Sequence, residues 1–129
     1  MLDKKVDLVI WGKKFCLPFE CADSVDPGHL TNIELSVKQF SDNSEDITDK
    51  SIPAVKEYID KSAKRIGITK VDELLECINP HMLLIGIDSG NTNIALLCGF
   101  KYDPEHDIAI IYREQLLVEV GSQDLVSWW

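Results

Sequence analysis

The sequence lacks the features that mark membrane and secreted proteins. None of its apolar runs approaches the roughly 18 residues that a membrane-spanning helix requires. The first residues, MLDKKVDLVIW, hold only a short apolar stretch before Lys13-Lys14. Because no small-residue cleavage site follows, we expect no signal peptide and a cytoplasmic location. A length of 129 residues predicts one domain, residues 1–129, with a single hydrophobic core.

Basic residues are scarce. Lysine and arginine total 13 against 22 aspartates and glutamates, for a net charge of −9. Because affinity for phosphates depends on cationic side chains, this balance argues against a nucleic-acid partner. An acidic surface instead accelerates encounter with a basic partner through electrostatic steering. Solubility alone is the alternative explanation of the charge.

Metal-binding cysteine patterns are also missing. The cysteines, at positions 16, 21, 77 and 98, form no Cys-x2-Cys pair, and no histidine lies near enough to complete a zinc finger. Cys16, Cys77 and Cys98 each lie in an apolar run, which predicts reduced core residues. Spacing permits a Cys16–Cys21 disulfide, but the lack of a secretion signal favours free thiols.

Catalytic signatures are equally absent. The chain contains no serine elbow, Cys-His arrangement or HExxH motif. Asp103, Glu105, His106 and Asp107 are suited to metal binding or proton transfer, yet they lie in the turn DPEHD, where Asp-Pro favours chain reversal and side chains are solvated. We therefore expect a protein that is not an enzyme and that needs no metal or cofactor.

The order of elements predicts an α+β fold. We expect an antiparallel sheet of about six to seven strands with two helices packed on one face. The predicted strands are Val6–Trp11, Phe15–Phe19, Ile33–Val37, Met82–Ile87, Asn93–Phe100, Asp107–Tyr112 and Leu116–Val120.

The two helices are predicted in the middle of the chain. The polar stretch Ser41–Ser51 reads as an acidic loop, too poorly matched to an EF-hand to bind calcium. A helix follows over about Ile52–Ile66, with Ser51 as its N-cap and Pro53 in its first turn. A capping box at 69–72 predicts a short second helix, which Asn79-Pro80 ends.

The segment LLIGIDSGNTNIALLCGF, residues 83–100, contains a possible phosphate-binding turn. It resembles the first hairpin of the actin-like sugar and pantothenate kinases. That resemblance implies that Asp88 orients magnesium, Gly90 admits a phosphate, and Asn91 and Thr92 donate hydrogen bonds. Only about 30 residues follow the hairpin, too few for the second lobe that such kinases need. Because Asp, Asn and Gly also favour tight turns, we interpret the segment as a β-turn.

The chain closes on Ser127-Trp128-Trp129. Two indoles in water are unfavourable, and tryptophan is frequent at the centres of protein interfaces. We expect Trp128 to pack on the sheet, and we leave Trp129 open between core and interface.

The C-terminal block FKYDPEHDIAIIYREQLLVEVGSQD, residues 100–124, predicts a β-hairpin between two turns. It resembles small bacterial domains of unknown function, some of which are immunity proteins encoded beside toxins, as in contact-dependent growth inhibition. The resemblance implies a protein that binds a cognate toxin domain. The acidity of the chain favours a basic toxin, and the charge balance and short apolar runs predict no nucleic-acid or membrane partner. We expect the contacts to come from acids on predicted loops: Asp42, Glu45, Asp46, Asp49, Asp103, Glu105 and Asp107. A nucleotide binder or enzyme using the Asp88–Thr92 turn, and a scaffold protein without a toxin, are the alternatives.

Overall fold

The structure is a computed structural model that describes residues 5–22, 28, 30–88, 90–127 and 129. Its strands are β1 (Lys5–Ile10), β2 (Lys13–Cys21), β3 (Ile78–Asp88), β4 (Asn91–Phe100), β5 (Ile108–Arg113) and β6 (Leu116–Gly121). Its helices are α1 (Leu30–Asp42), α2 (Ser44–Arg65), α3 (Leu74–Cys77) and a 3₁₀ helix at Gln123–Val126. Trp128, which we expected on the sheet, lies outside the described residues. No helix in the described ranges is both long and apolar enough to cross a membrane.

The six strands form one sheet in sequence order, from β1 at one edge to β6 at the other. Four of the five neighbouring pairs are antiparallel, which confirms the predicted α+β fold. The exception is the β2–β3 pair, which is parallel. The helices lie between these two strands in the chain and carry it back to the end of the sheet where β2 begins. Pairing of β2 with β3 begins at Phe19, one residue after Pro18. The missing N–H of Pro18 is therefore tolerated.

Apolar side chains pack on both faces of the sheet. The larger core lies between the helices and one face, and includes Val55, Ile59, Leu83 and Ile110. On the opposite face, a smaller cluster around Ala95, Leu97, Ala109 and Ile111 is covered by the 3₁₀ helix and Trp129. Residues 93–98 of β4 are therefore buried on both sides, which explains the nearly continuous apolar sequence of this strand.

The predicted strand at Ile33–Val37 is wrong, because these residues belong to α1. Ile33, Val37 and Phe40 are buried on one helical face, whereas Leu35 is 55% exposed. The spacing of four between Ile33 and Val37 fits a helical period as well as a strand period. Three alternating residues were too few to distinguish the two structures, and Phe40 carries the helical pattern further.

The predicted loop at Ser41–Ser51 is also wrong, because the segment is the end of α1 and the first two turns of α2. Ser51 is not an N-cap: its buried hydroxyl lies 2.7 Å from the carbonyl of Thr48 and 2.9 Å from the hydroxyl of Tyr112. Pro53 consequently lies in the helix interior. The polar sequence suggested a loop, but its hydroxyls are satisfied by tertiary contacts.

The predicted second helix is reduced to α3, which has four residues. The expected capping box does not form, since the Asp72 carboxylate accepts hydrogen bonds from Lys101 Nζ at 2.6 Å and the Tyr102 hydroxyl at 3.2 Å. Asn79 and Pro80 do not stop a helix. They lie inside β3, which shifts register between Pro80 and Met82, and such a bulge accommodates proline in a sheet.

Candidate functional site

Hydroxyl side chains of the α1–α2 junction are bonded to the free edge of β1. The Val9 N–H donates to Ser44 Oγ at 2.8 Å, and the Trp11 N–H donates to Thr48 Oγ1 at 3.3 Å. The Ser41 hydroxyl donates to the Asp7 carbonyl, and Thr48 Oγ1 also lies 3.2 Å from the Val9 carbonyl. Covering an edge strand in this way satisfies its unpaired backbone groups. The junction is thereby held firmly on the sheet.

Four predicted contact residues lie on the outside of this junction. All are exposed, and we call them the acidic helix face: Asp42, Glu45, Asp46 and Asp49. On α2, Glu45, Asp46 and Asp49 fall within an arc of about 100°, given 3.6 residues per turn. Lys38 pairs with Asp42 at 3.1 Å and Lys50 with Asp46 at 3.0 Å, but exposed pairs of this kind are weak. The described part of the chain places no cation at ion-pair distance from Glu45 or Asp49.

The other three predicted contact residues lie in the turn between β4 and β5. Asp107 has a left-handed backbone, with φ at 53°, and its Oδ1 accepts from the Phe100 N–H at 3.1 Å. His106 Nδ1 lies 3.0 Å from Asp103 Oδ1, and this hydrogen bond raises the pKa of the imidazole. Asp103 and Asp107 thus hold the turn together, while Glu105 is exposed.

The two sets of acids are separate. The acidic helix face lies at edge strand β1, whereas the turn joins β4 and β5. Three strand spacings, about 14 Å, separate β1 from β4 within the sheet. The structure therefore brings Asp42, Glu45, Asp46 and Asp49 together and places Asp103, Glu105 and Asp107 elsewhere.

The suspected phosphate-binding segment forms the hairpin between β3 and β4. Asp88 pairs with Asn91, and Gly90 has φ at +81°, a value that glycine adopts without strain. Gly90, Asn91 and Thr92 line a cleft of about 260 Å³. The remaining lining residues come from α1, β4 and the β5–β6 hairpin: Ser36, Gln39, Phe40, Ile94, Tyr112, Glu114 and Gln115.

The apolar residues that line this cleft are Phe40, Ile94 and Tyr112. Phe40 and Tyr112 are nearly inaccessible to solvent and meet edge to face, with ring centroids 5.2 Å apart. Burial raises the pKa of the Tyr112 phenol, so it remains a neutral hydroxyl next to Ser51. Phe40 and Tyr112 consequently contribute no charge to the cleft.

The rim of the cleft includes a strained turn. Glu114 and Gln115 join β5 to β6 with φ values of 50° and 67°. Two-residue hairpin turns with positive φ at both positions favour Asn-Gly or Asp-Gly sequences. Side chains at two such positions are unfavourable, and backbone strain of this kind is concentrated at functional sites. The sequence analysis did not single out Glu114 and Gln115 as candidate site residues. A two-residue hairpin turn that contains no glycine was the feature that could have indicated them.

The cysteines correct part of one prediction. Cys77 and Cys98 are buried, as expected, and burial raises the pKa of Cys77 to about 11 and raises that of Cys98 as well. Cys16 is exposed, since its side chain is on the face of β2 opposite Phe15 and Leu17. Cys16 and Cys21 are about 16 Å apart along an extended strand, which is too far for a disulfide. The described ranges contain no group of three metal-binding side chains.

Trp129 packs on the outer face of the sheet. Gly86 of β3 lies directly beneath it, where a Cβ atom would come within 2.8 Å of the indole ring. Trp129 also contacts the cluster that contains Ala95 and Leu97. The terminal tryptophan is therefore half-buried against the core, and Gly86 provides the space for it.

The class of protein follows from this architecture: a small α+β protein whose helices carry an acidic face and close a polar cleft at one end of a mostly antiparallel sheet. Residues 3–127 match the sequence model of a family described as a domain of unknown function (DUF6985), and the chain belongs to that family. This confirms the predicted small family of unknown function. Neither a comparison with curated proteins nor one with solved structures found a match.

Proposed function

We propose that this protein binds and neutralises a cognate bacterial toxin domain that has a basic surface, such as a nuclease. The observation that carries the proposal is the acidic helix face, where four carboxylates cluster on a junction bonded to the sheet. Residues 100–124 resemble small bacterial domains of unknown function, some of which are immunity proteins, and this resemblance points in the same direction.

Firm attachment of the helix backbone to the sheet favours rapid, specific binding. Ser44 and Thr48 accept hydrogen bonds from N–H groups of β1 and so hold the helix, and its backbone needs little ordering when a partner docks. A net charge of −9 adds a long-range attraction to a basic partner, which raises the association rate. Two local lysine pairs leave Glu45 and Asp49 available for partner cations.

The nucleotide-binding alternative finds less support at the cleft. Its described lining residues include one acid, Glu114, and neither lysine nor arginine. Phosphate groups are stabilised by cations, by magnesium or by converging backbone N–H groups, whereas a carboxylate at the rim repels them. Calorimetric titration with ATP and magnesium tests this alternative, which requires heat of binding that is lost when Asn91 is replaced by alanine.

The experiment for the proposed function is co-expression with the product of the adjacent upstream gene, which the proposal expects to be a toxin. We expect a stable one-to-one complex on size-exclusion chromatography and restored growth of cells that express the toxin domain. The matched variants are four neutralising substitutions on the acidic helix face, and four on exposed acids elsewhere. The proposal requires weaker protection from the first variant alone; no complex and no protection by the wild-type protein would overturn it.

A further inference from the structure

We infer that the cleft between α1, residues 90–92 and the β5–β6 turn is a binding site for an arginine side chain of a protein partner. This inference deepens the proposed function, on which the choice of a protein partner rests. The site lies beyond the acidic helix face and uses different residues, with Glu114 as its charged group.

The size of the cleft suits one side chain. Its volume of about 260 Å³ falls below the roughly 300–1,000 Å³ of most sites for drug-sized ligands. Phe40, Ile94 and Tyr112 are the apolar residues of its lining. Arginine buries its aliphatic stem on apolar surface while its guanidinium remains at a polar rim.

The polar lining suits a cation with several donors. Glu114 supplies the negative charge, and each of the other polar lining residues carries a side-chain oxygen that can accept a hydrogen bond: Ser36, Gln39, Asn91, Thr92 and Gln115. A planar guanidinium carries five N–H donors and pairs with a carboxylate in a bidentate manner. Lysine has a compact charge and three donors, so it matches several separate acceptors less well. No described lining residue carries a positive charge that would repel the guanidinium.

The strained turn is an independent observation that points to a role for the same residues. Glu114 and Gln115 both have left-handed backbones, although glycine at the second position would relieve one of the two strained positions. The present sequence places a carboxylate and an amide at the rim instead. Such strain is explained if these two side chains contact a ligand.

The test is titration of the ¹⁵N-labelled protein with the capped tripeptide acetyl-Gly-Arg-Gly-amide, followed by amide chemical shifts. Two control peptides replace arginine with neutral, isosteric citrulline and with glutamate. We expect saturable shifts at Gly90, Asn91, Glu114 and Gln115, and an affinity for the arginine peptide at least about fivefold above that for citrulline. Equal response to citrulline, preference for glutamate, or no saturable shift at these amides would overturn the inference.

Two variants separate ligand contact from a purely structural role. Glu114→Gln keeps the shape of the side chain and should weaken arginine binding about fivefold, while the amide spectrum elsewhere stays unchanged. Gln115→Gly relieves strain and should raise the melting temperature by about 3 °C, yet weaken binding of the arginine peptide. The turn contacts no ligand if both variants bind the arginine peptide as tightly as the wild-type protein while Gln115→Gly still raises the melting temperature.

The peptide titration requires no toxin, so the two proposals fail separately. If a toxin complex forms and Glu114→Gln leaves its affinity unchanged, the cleft is not part of that interface, and the proposed function stands. If the arginine peptide binds in the cleft but no toxin complex or protection is found, the cleft inference stands and the toxin assignment fails.

Discussion

Trp11 and Thr48 are joined by two hydrogen bonds that cross from the sheet to the helices. The Trp11 backbone N–H donates to Thr48 Oγ1 at 3.3 Å, and the indole Nε1–H donates to the Thr48 carbonyl at 3.1 Å. Together with Ser44 on Val9, these bonds hold the first turns of α2 on the edge of β1. The position of the acidic helix face therefore depends on residues that carry no charge.

Replacing Thr48 by valine should destabilise the protein by about 1–3 kcal/mol. The change preserves shape but leaves partly buried backbone groups of β1 without their hydrogen-bonding partner on the helix. Denaturant unfolding monitored by circular dichroism measures the difference. Thr69→Val is the matched control, because Thr69 is exposed, and it should change stability by no more than about 0.5 kcal/mol. Equal effects of both substitutions would contradict the assigned role of Thr48.

Gly86→Ala should destabilise the protein by about 1–3 kcal/mol, because the new Cβ would displace the Trp129 ring. In a Trp129→Ala background the same substitution should cost nothing, so a double-mutant cycle measures the contact directly. Gly99→Ala serves as control, since the nearest atom there would be 3.9 Å away. An unchanged cost of Gly86→Ala in the absence of the indole would refute the packing of Trp129 on Gly86.

The His106–Asp103 pair should make stability depend on pH. Hydrogen bonding to Asp103 raises the folded-state pKa of His106 above its ordinary value of 6.5. A raised folded-state pKa adds stability that is fully present below the unfolded-state pKa and disappears as pH rises through the folded-state pKa. Asp103→Asn should lower the His106 pKa, as measured by NMR titration of the ring protons.

The same substitution should also flatten the change in urea midpoint between acidic and mildly alkaline pH. A His106 pKa that is identical in the wild-type protein and the Asp103→Asn variant would show that the carboxylate does not control this imidazole.

Cys16 should react with a thiol reagent much faster than Cys77 and Cys98. Its side chain is exposed, whereas burial shields the other two and raises their pKa values, and the thiolate is the reactive form. Mass spectrometry after brief labelling at pH 8 identifies the modified positions. Cys16→Ser should abolish the fast label at this position, and urea should expose Cys77 and Cys98. Rapid labelling of Cys98 in the folded protein would contradict its burial.

Local sequence patterns predicted the later strands well and the helices poorly. The runs in β4 and β5 are long, apolar and bounded by turn residues, so short-range information was sufficient. In α1, the short alternation from Ile33 to Val37 satisfied two periods at once. In α2, Ser44 and Thr48 resembled loop residues because their partners on β1 lie about 35 or more residues away in the chain.

Local sequence patterns were also insufficient to predict the candidate sites. The acids predicted on the Ser41–Ser51 loop lie instead at the end of α1 and on one exposed side of α2, because the hydroxyls of Ser44 and Thr48 point inward to the sheet. The cleft residues Gln39, Asn91 and Glu114 come from three distant segments. No local pattern joins them, and only the sheet order brings the two hairpin turns to the end of α1.

Electrostatic attraction between the acidic helix face and a basic toxin is tested most directly by association kinetics. The measurement is the association rate constant with the product of the adjacent upstream gene, which the proposal expects to carry a toxin domain, determined by stopped-flow over a series of salt concentrations. The test variant neutralises the face with Asp42→Asn, Glu45→Gln, Asp46→Asn and Asp49→Asn. The control variant changes the net charge equally at other exposed acids, with Glu57→Gln, Asp60→Asn, Glu73→Gln and Glu76→Gln.

At low salt, the wild-type rate constant should be about tenfold above that of the test variant and should fall steeply as salt screens the charges. The control variant should lose much less, because its substitutions lie away from the interface. Equal rate constants and equal salt dependence for the wild-type protein and the test variant would contradict the account.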